Sequence, residues 1–288
     1  MNQRHHITTV SLAPGTHVFA RDATHVQFGM DATRAGIIET PHAERLAVVL
    51  SRLSSPVRVS ALIDEITTHT GVHPTQVQVL LDELIDYRIL RATERRAIYV
   101  VGHSTLARAL VGHFTQLGFT VRRPLRSESD GEFLTHCVPT VPLVIVDKLA
   151  YSRGLAKHLV QPHRTVIPVN VVDHRVLIGP VRMRGTGACL LCLQLRLTDI
   201  DEEWHRITSL FQSGPPRPDP TVISAGVAET SVLLRRAIKA DVPAGVTLEP
   251  VSGGELIVVD PFGGGTRREA IAQHGQCPAC SSETGSGR

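Results

Sequence analysis

The chain has 288 residues, 42% of them hydrophobic and 20% charged, with a formal net charge of +3. Two globular cores can be built from this composition, which excludes an intrinsically disordered chain. With no basic stripe there is little support for nucleic-acid binding, and with no run near ~20 apolar residues there is no membrane span.

The start, MNQRHHITTVSL, lacks the long apolar stretch of a secretory signal, so a cytoplasmic protein is expected. His5 and His6 read as part of a solvated tail. Residues 8–40 then read as short strands: His17 to Arg21, His25 to Gly29 and Gly36 to Thr40, with turns between them. Three helical patterns follow. Pro41 starts the first, with Leu46, Val49, Leu50 and Leu53 on one face. Ser60 is expected to cap the second, which carries Leu62, Ile63 and Ile66. The third begins near Pro74 and repeats Val77, Leu80, Leu81 and Leu84; Ile89 to Arg91 returns as a strand. This order resembles a winged helix-turn-helix over residues 1–95.

A second unit is expected over residues 96–280. Ala97 to Gly102 is a short buried strand, Ser104 to Leu117 a helix and Phe119 to Arg122 a strand. Val141 to Val146 is an apolar run ending at Asp147, Leu155 to Val160 is helical, and Thr165 to Val171 is another buried strand. Strands alternating with helices imply an α/β fold with a parallel sheet covered on both faces. Gly214 to Pro218 and Gly263-Gly264-Gly265 read as loop and turn, and residues 281–288 as a disordered Ser/Gly-rich tail.

Two Cys-x-x-Cys pairs, Cys189/Cys192 and Cys277/Cys280, carry the most specific chemistry. A two-residue spacer lets one turn present two sulfurs to one ion, and two such turns complete a tetrahedron of thiolates around zinc. With no open position for water, such a zinc is structural. A redox pair is the competing reading of either pair alone. Cys137, without a partner pattern, is an ordinary thiol.

The strand–loop–helix at Gly102 to Ala107 has the layout of a dinucleotide phosphate loop. Only the first of three glycines is present, however, and His103 and Ser104 add bulk where backbone should meet phosphate. The following strand ends at Arg122-Arg123, without the acidic residue that would hold a ribose hydroxyl. Gly102 and Ser104 are therefore read as a degenerate nucleotide loop, with Ser104 a plain helix cap, and ATP is not expected to bind productively. No catalytic set stands out. Asp147 can cap the next segment, and Asp199, Asp201, Glu202 and Glu203 suit a helix start.

The run Cys189-Leu190-x-Cys192-Leu193-x-Leu195-x-x-Thr198-Asp199-x-Asp201-x-x-Trp204 resembles the signature of ThiF-like proteins of thiazole/oxazole-modified peptide (TOMM, RiPP) biosynthesis. Ile178-Gly179-Pro180, Leu12-x-Pro14-Gly15 and Val26-Gln27-Phe28-Gly29 fit the same pattern, and the resemblance runs from about residue 10 to Cys280. It implies a winged-helix RiPP recognition element followed by a Rossmann-like, ubiquitin-activating-type domain that keeps its zinc. It also implies a non-catalytic role: holding the leader of a precursor peptide for a separate YcaO-type cyclodehydratase, which uses ATP to form azoline rings. Relatives of this kind are often homodimers. Strand addition is the expected mode of peptide binding, at Gly36, Ile37, Ile38, Glu39 and Thr40, with Val77, Leu80, Leu81 and Leu84 as candidates for the groove. Two alternatives are an active ATP-dependent adenylating enzyme and a zinc-stabilised DNA-binding regulator. Residues 74–87 carry Asp82, Glu83 and Asp86 and no Lys or Arg, which argues against phosphate contact by the third helix.

Overall fold

The computed structural model describes residues 7–92, 96–212, 214–240 and 242–281. His5, His6 and the tail beyond Ser281 lie outside the described residues. Contacts divide the chain into two compact units, Met1–Glu94 with Ala240–Leu248, and Arg95–Lys239 with Glu249–Arg288.

The first unit contains β1 (Thr9–Leu12), β2 (Val18–Ala20), β3 (His25–Phe28), β4 (Gly36–Glu39), α1 (Ala43–Ser51), β5 (Val57–Arg58), α2 (Val59–Thr70), α3 (Pro74–Asp86) and β6 (Leu90–Ala92). They form two three-stranded sheets, ordered β5-β1-β6 and β2-β3-β4, with antiparallel pairing throughout. The predicted helical periodicity is realised as a core: Leu46, Leu50, Leu62, Ile66, Val77, Leu81 and Leu84 are buried together with Val10, Val26 and Phe28. Gly71 ends α2 at φ 74°, a left-handed conformation that glycine adopts without a Cβ penalty. Pro74 takes the first position of α3, and the His73 ring accepts from the Thr75 N–H.

The expected cap at Ser60 is incorrect. Arg58 pairs with Thr9, and the Val59 N–H donates to the Thr8 carbonyl, so the chain is still extended at Arg58. The helix therefore begins directly from the strand, and Ser60 is an exposed residue of its first turn.

The second unit contains β7 (Ala97–Val101), α4 (Thr105–Gln116), β8 (Thr120–Arg122), α5 (Asp130–His136), β9 (Leu143–Val146), α6 (Ser152–Leu159), β10 (Val166–Val172), β11 (Arg175–Ile178), α7 (Leu190–Ile200), α8 (Trp204–Leu210), α9 (Pro220–Ala237), β12 (Glu255–Asp260), β13 (Gly265–Ala270) and α10 (Pro278–Ser281). Seven strands form one sheet in the order β13-β12-β11-β10-β9-β7-β8. Only half of it is the expected parallel sheet: β8, β7, β9 and β10 run parallel, whereas β11, β12 and β13 each pair antiparallel. Tight turns explain two of the three antiparallel pairs, whereas β11 and β12 are joined through α7, α8 and α9. His174 lies in the tight turn between β10 and β11, and Gly264 and Gly265 close the next hairpin with positive φ.

The continuous apolar runs bury both faces of the parallel strands. Ile98, Val100, Val144, Val146, Ile167 and Val169 pack in one core with α4 and α9. Tyr99, Val101, Leu143, Ile145 and Val166 pack in another with α5, α6 and α7. A buried ion pair, Arg236 to Glu255 at 2.6 Å, joins α9 to β12.

Candidate metal centre and peptide groove

Cys189 is the residue before α7 and Cys192 lies in its first turn; Cys277 precedes α10 and Cys280 lies within it. Although the pairs are 88 residues apart in the chain, all four side chains are buried and their sulfurs lie within 4.8 Å of one another. Three of the separations are 3.7, 3.7 and 3.6 Å, far longer than the ~2.05 Å of a disulfide. Four sulfurs at ~2.3 Å from one ion form a tetrahedron with edges of about 3.8 Å, so this spacing fits a single metal ion. The surrounding backbone supports the cluster. The His274 N–H donates to the Cys192 sulfur at 3.4 Å, and the His274 ring meets Asp199 at 2.9 Å. The Arg182 guanidinium approaches the Cys280 sulfur at 3.7 Å. Hydrogen bonds among the sulfurs push the Cys189 thiol up and hold that of Cys192 down, because crowded thiolates cannot all ionise without a cation. Cys137 is elsewhere, in the α5–α7 core, where burial pushes its thiol up to about 11.

The degenerate loop sits where β7 and β9 end side by side. Gly102 has φ 143°, and a Cβ there would stand 2.6 Å from the Val146 carbonyl, so glycine is required by packing. The Ser104 hydroxyl accepts from the Ala107 N–H at 3.2 Å as the cap of α4. Arg123 donates to the Gly102 carbonyl at 3.0 Å. Asp147, at the end of β9, accepts from the Val171 N–H at 2.7 Å and lines a cavity of about 260 Å³ with Asn170, Trp204 and Phe211.

Burial pushes the Asp147 carboxyl up to about 6, against the opposing pull of hydrogen bonds from Ser104 and the Val171 N–H. An acid with a raised folded-state value binds its proton more readily when folded. Stability from this group is therefore full below about pH 4 and falls as the pH rises through about 6. An Asp147→Asn variant gains about 3 kcal/mol over the natural chain at pH 8 and nothing at pH 4, since it keeps an acceptor for Val171 but carries no buried charge. Urea unfolding at the two pH values measures the difference; equal gains contradict it.

In the first unit, β4 is an edge strand: among the described residues no strand pairs with the side opposite β3. Gly36, Ile37 and Ile38 line a groove of about 870 Å³ together with Phe28, Met30, Glu83, Leu84, Tyr87 and Pro243 to Val246. A smaller cavity, about 160 Å³, is lined by Ile38, Glu39, Thr40, Val77 and Leu80. Of the nine expected peptide-contact positions, eight line one cavity or the other. Leu81 lines neither, and Val77, Leu81 and Leu84 are all buried in the core of the unit. Helical spacing could not tell which of these side chains face the core and which the groove. Tyr87 and Met30, 72% and 69% exposed at the groove, were not read from the sequence. Tyr87 continues the Leu80–Leu84 stripe by three residues, a signal available in the spacing. Residues 243–246, distant in sequence, carry no local signal.

No protein-family model matches the chain, and no curated protein matches it. Solved structures do. A heterocyclase in complex with substrate and cofactor matches with a TM-score of 0.58 and 16% identity, covering 95% of this chain and 39% of that one. The heterocyclase TruD matches with a TM-score of 0.56 and 14% identity, covering 95% and 43%. The E. coli microcin synthetase McbBCD complex with pro-MccB17 bound matches with a TM-score of 0.58 and 11% identity, covering 94% of this chain and 99% of that one. The chain thus spans about two fifths of the two heterocyclase chains and nearly all of the matched synthetase chain. The fold of this protein is one shared with heterocyclases and a microcin synthetase subunit.

Proposed function

We propose that this chain binds the leader of a ribosomal precursor peptide and presents its core to a separate YcaO-type cyclodehydratase, without performing the chemistry itself. The observation that carries this reading is the open edge of β4 beside a large groove. Residues 1–95, a helix-turn-helix with strands beside it, serve as the winged-helix recognition unit; residues 243–246 complete the groove wall. An extended leader adds a strand to β4, its main chain completing the hydrogen bonds and its apolar side chains entering the space beside Leu84 and Tyr87. Holding the leader raises the local concentration of the core peptide at the partner's site. Neighbours of the same fold described with substrate or with pro-MccB17 bound support this direction.

Residues 96–280 act as a scaffold. Cys189, Cys192, Cys277 and Cys280 hold a structural zinc that ties the end of the chain to α7. In this reading ATP does not bind productively at Gly102 and Ser104; the contacts of the Ser104 hydroxyl with the Ala107 N–H and Asp147 are consistent with a plain helix cap.

Fluorescence anisotropy with a labelled leader from the precursor encoded beside the gene tests the proposal. The purified chain alone binds it saturably and releases no pyrophosphate with ATP and peptide. Absence of binding, or pyrophosphate release without a partner, refutes it.

A further inference from the structure

The register of β4 decides which of its residues face the free edge. The Thr40 N–H donates to the Thr24 carbonyl at 2.7 Å, in the register that sets Val26 opposite Ile38 and Phe28 opposite Gly36. Antiparallel partners alternate between bonded and unbonded pairs, so Gly36, Ile38 and Thr40 turn their main-chain groups to β3. The far side of β3 agrees: the Arg21 N–H donates to the His25 carbonyl, so the odd-numbered residues of β3 bond β2 and leave the even ones for β4. Ile37 and Glu39 therefore present their N–H and C=O groups to the open edge.

Side chains alternate as well. Ile38 packs on the buried core with Val26 and Phe28, whereas Ile37 and Glu39 are exposed, so Gly36 and Ile38 share the inner face. A strand added to β4 turns the residues opposite Gly36 and Ile38 to that same face, beside α3. Two spaces of unequal size wait there. The groove of about 870 Å³ is lined by Gly36 and Leu84, and the cavity of about 160 Å³ by Ile38 and Leu80. Leu80 and Leu84 stand one turn apart, ~6 Å along the helix, and alternate residues of a strand rise ~6.7 Å. Two side chains separated by one residue thus reach both spaces. Gly36 has no backbone reason to be glycine: its φ lies outside the left-handed region, and a Cβ would stand 3.7 Å from Ile89 Cδ1, an ordinary contact. A glycine inside a strand marks a place where another group comes close.

We propose that Gly36 is a specificity-determining residue for the peptide. The segment that adds to β4 bonds its main chain to Ile37 and Glu39 and carries two apolar side chains separated by one residue. The larger is received over Gly36 beside Leu84, and the smaller beside Ile38 and Leu80. This rests on the leader-binding reading above and names the class of segment that the reading requires.

The test compares the natural chain with Gly36→Val by fluorescence anisotropy, using the labelled synthetic leader and its single-alanine variants. On the natural chain, truncation at two leader positions separated by one residue weakens binding ~10-fold or more. Valine suits a strand but fills the space over position 36. Gly36→Val weakens the natural leader ~10-fold, yet binds the leader whose large residue is alanine as tightly as the natural chain does, because groups in contact are not additive. Equal weakening of every leader variant by Gly36→Val, or no weakening of the natural leader, overturns the proposal. Sensitive leader positions three or four apart, the mark of a helical occupant, overturn it too. If Gly36→Val does not fold, exchange of single amides in the natural chain decides. Leader slows the Ile37 and Glu39 amides more than those of Gly36 and Ile38, which β3 already holds; slowing at Ile37 and Glu39 that does not exceed the other two overturns the proposal. A natural chain that binds no leader overturns both the leader reading and this one, whereas a chain that binds leader but does not discriminate through position 36 overturns this one alone.

Discussion

Ile37→Asp weakens leader binding by ~30-fold, about 2 kcal/mol, without unfolding the protein. Ile37 is the second residue of β4, is 49% exposed, and lines the large groove. In strand addition the leader covers this side chain, so an aspartate there is buried without a partner; that costs more than the isoleucine contact it replaces. In the free chain the aspartate remains in water, and exposed substitutions of this kind change stability by only about ±0.5 kcal/mol. Val48→Asp is the matched control. Val48 is 47% exposed on α1 and lines neither cavity, so binding is unchanged. Anisotropy on both variants decides: equal affinities remove the β4 groove from the account.

Cys277→Ser, or zinc removal by a strong chelator, lowers stability on the order of 3–5 kcal/mol and the unfolding midpoint by ~10 °C. Loss of one thiolate leaves three buried ligands crowded within 4.8 Å and frees residues 274–281 from α7. The two cores on either side of the sheet remain, so the second unit loosens rather than collapses. Cys137→Ala, by contrast, leaves zinc content unchanged, because Cys137 packs in the α5–α7 core rather than with the cluster. Calorimetry with metal analysis separates the two. A Cys277→Ser variant as stable as the natural chain contradicts a structural metal.

Some of this architecture is written locally and some is not. The cysteine pairs are legible because two ligands on one turn need a short, fixed spacing. Buried strands such as Leu143–Val146 are legible because burial on both faces demands an unbroken apolar run. Helix α5 carries a capping box, Ser129 with Glu132, and α9 opens with Asp219-Pro220; neither helix was read from the sequence, although these local signals are present in it. Strand β13 was not: every residue of Gly265–Ala270 is exposed, so no alternation marks it, and pairing with β12 alone makes it a strand. The groove was half legible. Gly36–Ile38 and Leu84 were marked by strand and helix patterns, but its wall at residues 243–246 is brought in from beyond α9 by the tertiary fold.

Hydrogen–deuterium exchange of the full chain with and without leader tests the central claim most directly. The account predicts slowed exchange at β4 amides, Gly36 to Glu39, and little change in residues 96–239. Unchanged β4 amides under saturating leader, or protection confined to the second unit, would contradict it.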